Sequence, residues 1–360
     1  MVSGDWIRTS ESVWSEEPNK MHLNNDLKGI ELHLHLDGAI RPTTLFEIAK
    51  IRDPAHKCAN VDEFIHLLRP KSPYSLGKFL ESFKYVLPIV AGDKEALTRM
   101  TLECIEDCAT KSGLCYVELR FAPYCLSGPS LDPEAVVLTV LTATHRASRA
   151  YGLEARLILC IIREMPETAD AVVQLAIKYQ GQGVVGIDVA GDDSLWNPEG
   201  VSKEIVKAYA VAERYGVHRT AHAGENSPAA AVHEAAYTLR AERIGHGYNV
   251  VHNPSLYSLV KQTNVHFEVC PSSSIVTGAV HPDSLDRHPV HQFHLDGLSY
   301  SLNTDDPLIT GKWIAEELEF CTNQLGLPLG AIHQSKLHAV KAAFLDTEEE
   351  RAILLKHILT

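Results

Sequence analysis

Short apolar runs punctuate this chain, separated by longer stretches in which apolar residues recur every three or four positions. Runs at residues 30–36, 115–121, 156–162, 184–189, 218–223, 243–248, 265–270 and 298–303 have the length and apolar character of strands. Stretches at 133–151, 167–180, 201–215, 228–239 and 254–262 carry the spacing of amphipathic helices. Strands that alternate with helices call for a parallel sheet joined by right-handed crossovers. Eight such repeats in 360 residues predict a closed (β/α)8 TIM barrel of the α/β class rather than an open doubly wound sheet. The absence of a G-x-G-x-x-G after any strand agrees with that choice.

The connections add detail. A helix is expected to open at 41–50, with Pro42 in its first turn. Residues 52–75, mixed and rich in Pro, Lys and Asp, read as a long connection. Leu76, Phe79, Leu80 and Phe83 then fall at i, i+3, i+4 and i+7, one helical face within 75–83. Such a face either packs on the helix's own scaffold or, inserted after the first strand of a barrel, walls a pocket at the catalytic end. Another helix follows at 93–112, and helices at 313–324, 330–344 and 347–359 close the chain. The expectation is an irregular N-terminal extension over 1–28 and one barrel domain over 29–360, with extra helices after the first strand and at the C-terminus.

The polar exceptions to this pattern are more informative than the pattern. In Glu31-Leu32-His33-Leu34-His35-Leu36-Asp37-Gly38, period two puts His33, His35 and Asp37 on one face and three leucines on the other. Strands of a barrel are normally apolar on both faces. Two imidazoles two residues apart on a strand can reach one metal ion together. His-x-His alone is a weak signal, because an edge strand can carry it by accident. Four further strand ends are also polar, however: Asp188 to Asp192, His222-Ala223-Gly224-Glu225, Gly245-His246-Gly247 and Asn303-Thr304-Asp305-Asp306. In this fold the strand C-termini form the active face, so these groups converge on one rim.

Chemistry assigns them parts. His33, His35 and His222 offer three nitrogens and Asp305 a carboxylate oxygen, a donor set that suits one zinc ion and also admits iron or cobalt. Glu225, three residues beyond His222 and past a glycine, can shuttle a proton without ligating, and His246 can orient or deprotonate an attacking water. No lysine sits at these strand ends, so one metal is simpler than two.

Composition narrows the class further. A net charge of -13 and a pI near 5.8 disfavour nucleic acid or an anionic membrane as partner. Eight cysteines form no C-x-x-C pair and several lie in apolar runs, as expected of reduced thiols in a cytoplasmic protein. The first 28 residues lack an apolar signal-like core, and no window approaches a membrane span.

Taken together with Phe267-Glu268-Val269-Cys270-Pro271-Ser272-Ser273, and in order from about residue 30 to 345, these segments resemble the adenosine deaminase family. The resemblance implies a zinc-dependent hydrolase of purine salvage and catabolism, with one zinc per chain. It would convert adenosine and 2′-deoxyadenosine to inosine and deoxyinosine with release of ammonia. Water is the co-substrate, and the resemblance implies a monomer. By the same likeness His33, His35, His222 and Asp305 match the zinc ligands, Glu225 the acid at purine N1, and His246 the residue that positions hydroxide. Asp306 matches the hydrogen-bond acceptor at N7, Gly191 the backbone donor to N3, and Asp37 the carboxylate on the ribose 5′-hydroxyl. Leu76, Phe79, Leu80 and Phe83 match a hydrophobic gate. Adenine deaminases resemble a Glu where this chain has Asp37, and deaminases of N6-substituted AMP would need a basic group at the 5′ end.

Overall fold

The computed structural model describes Met21, residues 23–26 and residues 28–360, so most of the expected extension at 1–28 lies outside the described residues. Eight strands form one parallel sheet in sequence order: β1 (Gly29–His35), β2 (Leu114–Phe121), β3 (Glu154–Ile162), β4 (Val184–Ala190), β5 (His218–Ala223), β6 (Arg243–His246), β7 (His266–Val269) and β8 (Tyr300–Leu302). Just beyond β8 the chain meets β1 again. The His35 amide donates to the Asp305 carbonyl and the Asp305 amide to the His33 carbonyl, both at 3.0 Å, which completes the (β/α)8 barrel. The position of Asp305 against the two β1 histidines is therefore set by backbone pairing.

The leucines of β1 and the residue after it are fully buried, and so are Glu31 and His33 on the alternate face. That alternate face belongs to a layer of charge inside the barrel. Arg120 of β2 reaches Asp188 of β4 at 2.9 Å and Glu268 of β7 at 2.7 Å, and Arg243 of β6 reaches Glu268 at 2.7 Å. Arg243 also pairs with Glu118, which accepts from the Tyr116 hydroxyl at 2.8 Å. Buried ions are tolerable only when paired and hydrogen-bonded in this way.

Two expectations about the segment after β1 need correction. Residues 52–75 are not only a connection, because Val61–Leu68 is helical there. Its start is capped by the Asn60 side chain, which accepts from the Glu63 amide at 2.9 Å, and Phe64 and Leu68 anchor it in the core. The single helix expected at 75–83 is two, Leu76–Glu81 and Phe83–Val90, which meet at Ser82. The Ser82 hydroxyl donates to the Leu68 carbonyl at 2.5 Å, tying the junction to the helix before it.

Further helices follow the expected course closely, including Lys94–Thr110 capped by Asp93 and Pro133–Tyr151 capped by Asp132. The last three, Ile314–Asn323, Leu329–Ala342 and Glu348–Leu359, cover the closing side. All eight cysteines are free thiols, and seven are buried. Among the described residues no helix is long and apolar enough to cross a membrane.

Candidate functional site

Three imidazoles and one carboxylate meet at the C-terminal end of the barrel. Asp305 Oδ1 lies 3.2 Å from His33 Nε2 and 3.3 Å from His35 Nε2. His35 Nε2 in turn lies 3.3 Å from His222 Nε2. Atoms that share one zinc ion through bonds of about 2.0–2.2 Å lie roughly 3 Å or slightly more apart, so the observed spacings fit such an ion. A second test also favours a metal: His33 Nε2 is buried and has no hydrogen-bond partner. A polar atom left so inside a protein calls for an explanation.

The far side of each ring explains why Nε2 faces inward. His33 Nδ1 lies 2.7 Å from Glu268, and His222 Nδ1 lies 2.9 Å from Asp188. Each carboxylate fixes the proton on Nδ1 and leaves the Nε2 lone pair for a metal, the usual second layer around a ligating histidine. Arg120 spans both carboxylates, so one guanidinium braces two candidate ligands at once. Burial pushes the Glu268 carboxyl up, but Arg120, Arg243 and His33 outweigh it and hold the group well below the usual range. Sequence reading gave no role to Asp188, Glu268 or Arg120. The signal was present: Tyr116, Glu118 and Arg120 alternate with Val117, Leu119 and Phe121, the same period two that marked β1.

Backbone conformation supplies the remaining aim. His246 (φ 67°) and Asp305 (φ 66°) both lie in the left-handed region, which costs a non-glycine residue roughly 1–3 kcal/mol and concentrates at functional sites. Each turn takes its residue out of strand geometry and points its side chain at the centre of the rim. Between His222 and Glu225, Gly224 has φ 74°, and a Cβ there would lie 2.3 Å from Val232. The His-x-Gly-Glu turn therefore needs its glycine.

Glu225 is buried, with Oε1 unpartnered and Oε2 3.7 Å from His246 Nε2. Burial, reinforced by Asp193 and Asp305, pushes its carboxyl well above the usual range. Burial also keeps the His246 imidazole well below its ordinary value. Both shifts favour the uncharged forms, a protonated carboxyl and a neutral ring. His246 Nδ1 and Asp306 Oδ1 are likewise buried without partners. Asp306 lies where a side chain on Gly38 would be, since a Cβ on Gly38 would come within 1.6 Å of Asp306 Oδ1. Burial next to Asp305 and Asp37 raises the Asp306 carboxyl well above the usual range. Burial pushes Asp37 up to about 6.

The other sequence-predicted residues fall around this centre. Gly191 follows β4 with φ 99°, and a Cβ there would strike the Glu164 carboxylate at 2.4 Å. Leu76 and Phe79 are buried, while Leu80 and Phe83 are partly buried against the core. The Phe79 and Phe83 rings lie 6.3 Å apart across the junction of the two short helices. Gly278, after β7, packs against Tyr74, where a Cβ would come within 2.8 Å of the carbonyl. The start of the inserted helices is thereby packed against the segment that follows β7.

Comparison with known proteins agrees with this geometry. The family model described as adenosine deaminase matches residues 29–359. An adenosine deaminase of Xenopus tropicalis is 40% identical over 339 residues, covering 91% of this chain and 94% of the relative. Among solved structures, an adenine deaminase from Arthrobacter aurescens has a TM-score of 0.82 at 23% identity, covering 92% of this chain and 98% of its own, and shares the fold. An amidohydrolase from Burkholderia ambifaria with bound zinc has a TM-score of 0.78 at 26% identity, with 93% of each chain covered.

Proposed function

This chain belongs to the adenosine deaminase family, and from that premise we propose how its own residues carry out the reaction. The enzyme is a hydrolase that deaminates adenosine. The observation that carries the site assignment is the group of unpartnered buried atoms, His33 Nε2, Glu225 Oε1 and Asp306 Oδ1, on residues gathered at one rim. A metal and a purine would together satisfy them.

His33, His35, His222 and Asp305 would hold one zinc ion per chain. Zinc, when bound, lowers the pKa of water to near neutrality and so supplies a nucleophile for purine C6. The remaining work falls to the protein. Attack at C6 needs electron density drawn toward N1, and Glu225, held protonated, gives its proton there. His246, neutral and opposite Glu225, accepts a hydrogen bond from the attacking water and orients it. The Gly191 amide donates to N3. Asp306 was expected from the sequence to accept a hydrogen bond at N7, and that assignment must be reversed. N7 of adenine carries only a lone pair, so Asp306 donates, which agrees with a carboxyl kept protonated by burial beside two other acids. Asp37 accepts from the ribose 5′-hydroxyl. Leu76, Phe79, Leu80 and Phe83 form a gate that excludes water, so these dipoles act in a low-dielectric pocket.

The same reading makes residues 29–360 one catalytic domain, monomeric and cytoplasmic, acting on adenosine and 2′-deoxyadenosine. Nucleic acid and membranes are not partners, in keeping with a net charge of -13. Zinc removal tests the assignment. Chelation is expected to abolish adenosine turnover and stoichiometric zinc to restore it; full activity in a metal-free protein would refute it. The gate is tested by Phe79→Ala. It should raise KM for adenosine and weaken bulky apolar inhibitors most, with zinc content unchanged. Equal weakening of polar and apolar ligands would point to a packing defect.

A further inference from the structure

The turn that carries Glu225 is held by a residue that no part of the reaction has yet used. Asp193, in a short 3-10 turn (Asp193–Leu195) just after β4, is almost wholly buried. Its Oδ2 accepts from the Glu225 amide at 3.1 Å, the Ser227 amide at 3.1 Å and the Ser227 hydroxyl at 2.7 Å. Its Oδ1 accepts from the Asn226 amide at 3.0 Å. Three consecutive backbone amides form an anion-binding concavity, and the protein fills it with its own carboxylate.

The rest of the turn closes around that contact. Ser227 Oγ accepts from the Gly224 amide at 2.7 Å while donating to Asp193. The Asn249 side-chain amide donates to the Glu225 carbonyl at 3.1 Å and the Ser227 carbonyl at 2.8 Å. Glu225 Oε1 has no partner and Oε2 lies 3.7 Å from His246 Nε2, so the aim of this side chain depends on its backbone. We propose that Asp193 is a positioning residue, which sets the aim of Glu225 at the purine by binding the amides of Glu225, Asn226 and Ser227. The proposal deepens the reading of Glu225 as the proton donor and rests on it.

A double-mutant cycle separates this role from a merely structural one. Zinc content, kcat and KM for adenosine are measured on wild type, Asp193→Asn, Glu225→Gln and the double variant. The amide in Asp193→Asn keeps one acceptor oxygen but loses the charge and the second oxygen. It is expected to retain zinc and near-normal KM, with kcat falling about 10- to 100-fold, the scale of a misplaced catalytic group. On the Glu225→Gln background the same substitution should change kcat less than about twofold, because no acid remains to be aimed. Equal losses on both backgrounds, wild-type kcat in Asp193→Asn, or loss of zinc in parallel with kcat would overturn the proposal while leaving the assignment of Glu225 intact. Near-normal kcat in Glu225→Gln would overturn both. Should Asp193→Asn not fold, Ser227→Ala removes the hydroxyl donor to Asp193 and enters the same cycle. It is expected to show a smaller kcat loss that again vanishes beside Glu225→Gln, and a persistent loss would overturn the proposal.

Discussion

Glu225→Gln is expected to keep its zinc and to lose roughly 10²–10⁴ in turnover, the range for a general acid–base group. The substitution preserves shape and can still offer a hydrogen bond to N1, but an amide has no proton to transfer. Glu225 lies outside the candidate metal-ligand group of His33, His35, His222 and Asp305. Metal affinity should therefore survive. His222→Ala makes the opposite prediction. It removes one of three imidazoles and strands Asp188, whose partner on that side is His222 Nδ1 at 2.9 Å, so the metal itself should be lost. Zinc per chain and kcat, measured on both variants, separate the two roles. Loss of zinc in Glu225→Gln, or near-normal turnover, would refute the division.

Discrimination against a 5′-phosphate should rest on Asp37. Its carboxyl is buried and raised to about 6, so at pH 7.5 it is mostly ionised. An anion there accepts a hydrogen bond from a 5′-hydroxyl, a charge-assisted bond worth about 1.5–3 kcal/mol. A phosphate in that place would face it at ~4 Å, where unit charges repel by about 4 kcal/mol at an effective dielectric near 20. Each 1.4 kcal/mol is about tenfold, so AMP should fall below adenosine by at least roughly 10³ in kcat/KM. Adenine should be poor as well, because it leaves Asp37 without its partner. Asp37→Asn is expected to narrow the gap between adenosine and AMP by lessening the repulsion. A gap unchanged in that variant would remove Asp37 from the account of specificity.

Much of the barrel was legible because its physics is local. Eight apolar runs with helical spacing between them leave few topologies open, and the observed strands begin and end within a few residues of the expected ones. The later strands came out shorter than the runs suggested for a definite reason. The run at 243–248 stops at His246, whose left-handed backbone ends β6. The missed helix Val61–Leu68 was itself legible, since Val61, Phe64, Ile65 and Leu68 fall at i, i+3, i+4 and i+7 behind the Asn60 cap, but it is short and set among the Pro, Lys and Asp residues of 52–75. Ser82 splits its helix through a contact with Leu68, fourteen residues back, which no local pattern encodes. At the site, the metal-ligating types were visible as polar exceptions at strand ends. The bracing of His33 and His222 by Glu268, Asp188 and Arg120 was not, because it joins β1, β2, β4, β5 and β7 across the barrel.

On the proposed assignment of Asp37, the site deaminates adenosine as a nucleoside, neither as a bare base nor as a nucleotide. The most direct measurement follows deamination by ultraviolet absorbance on adenosine, adenine, AMP and N6-methyl-AMP, side by side with the zinc-loaded enzyme. Adenosine should be turned over with kcat/KM at least roughly 10³ above AMP, with adenine and N6-methyl-AMP also far below it. AMP, N6-methyl-AMP or adenine turned over as readily as adenosine would contradict it.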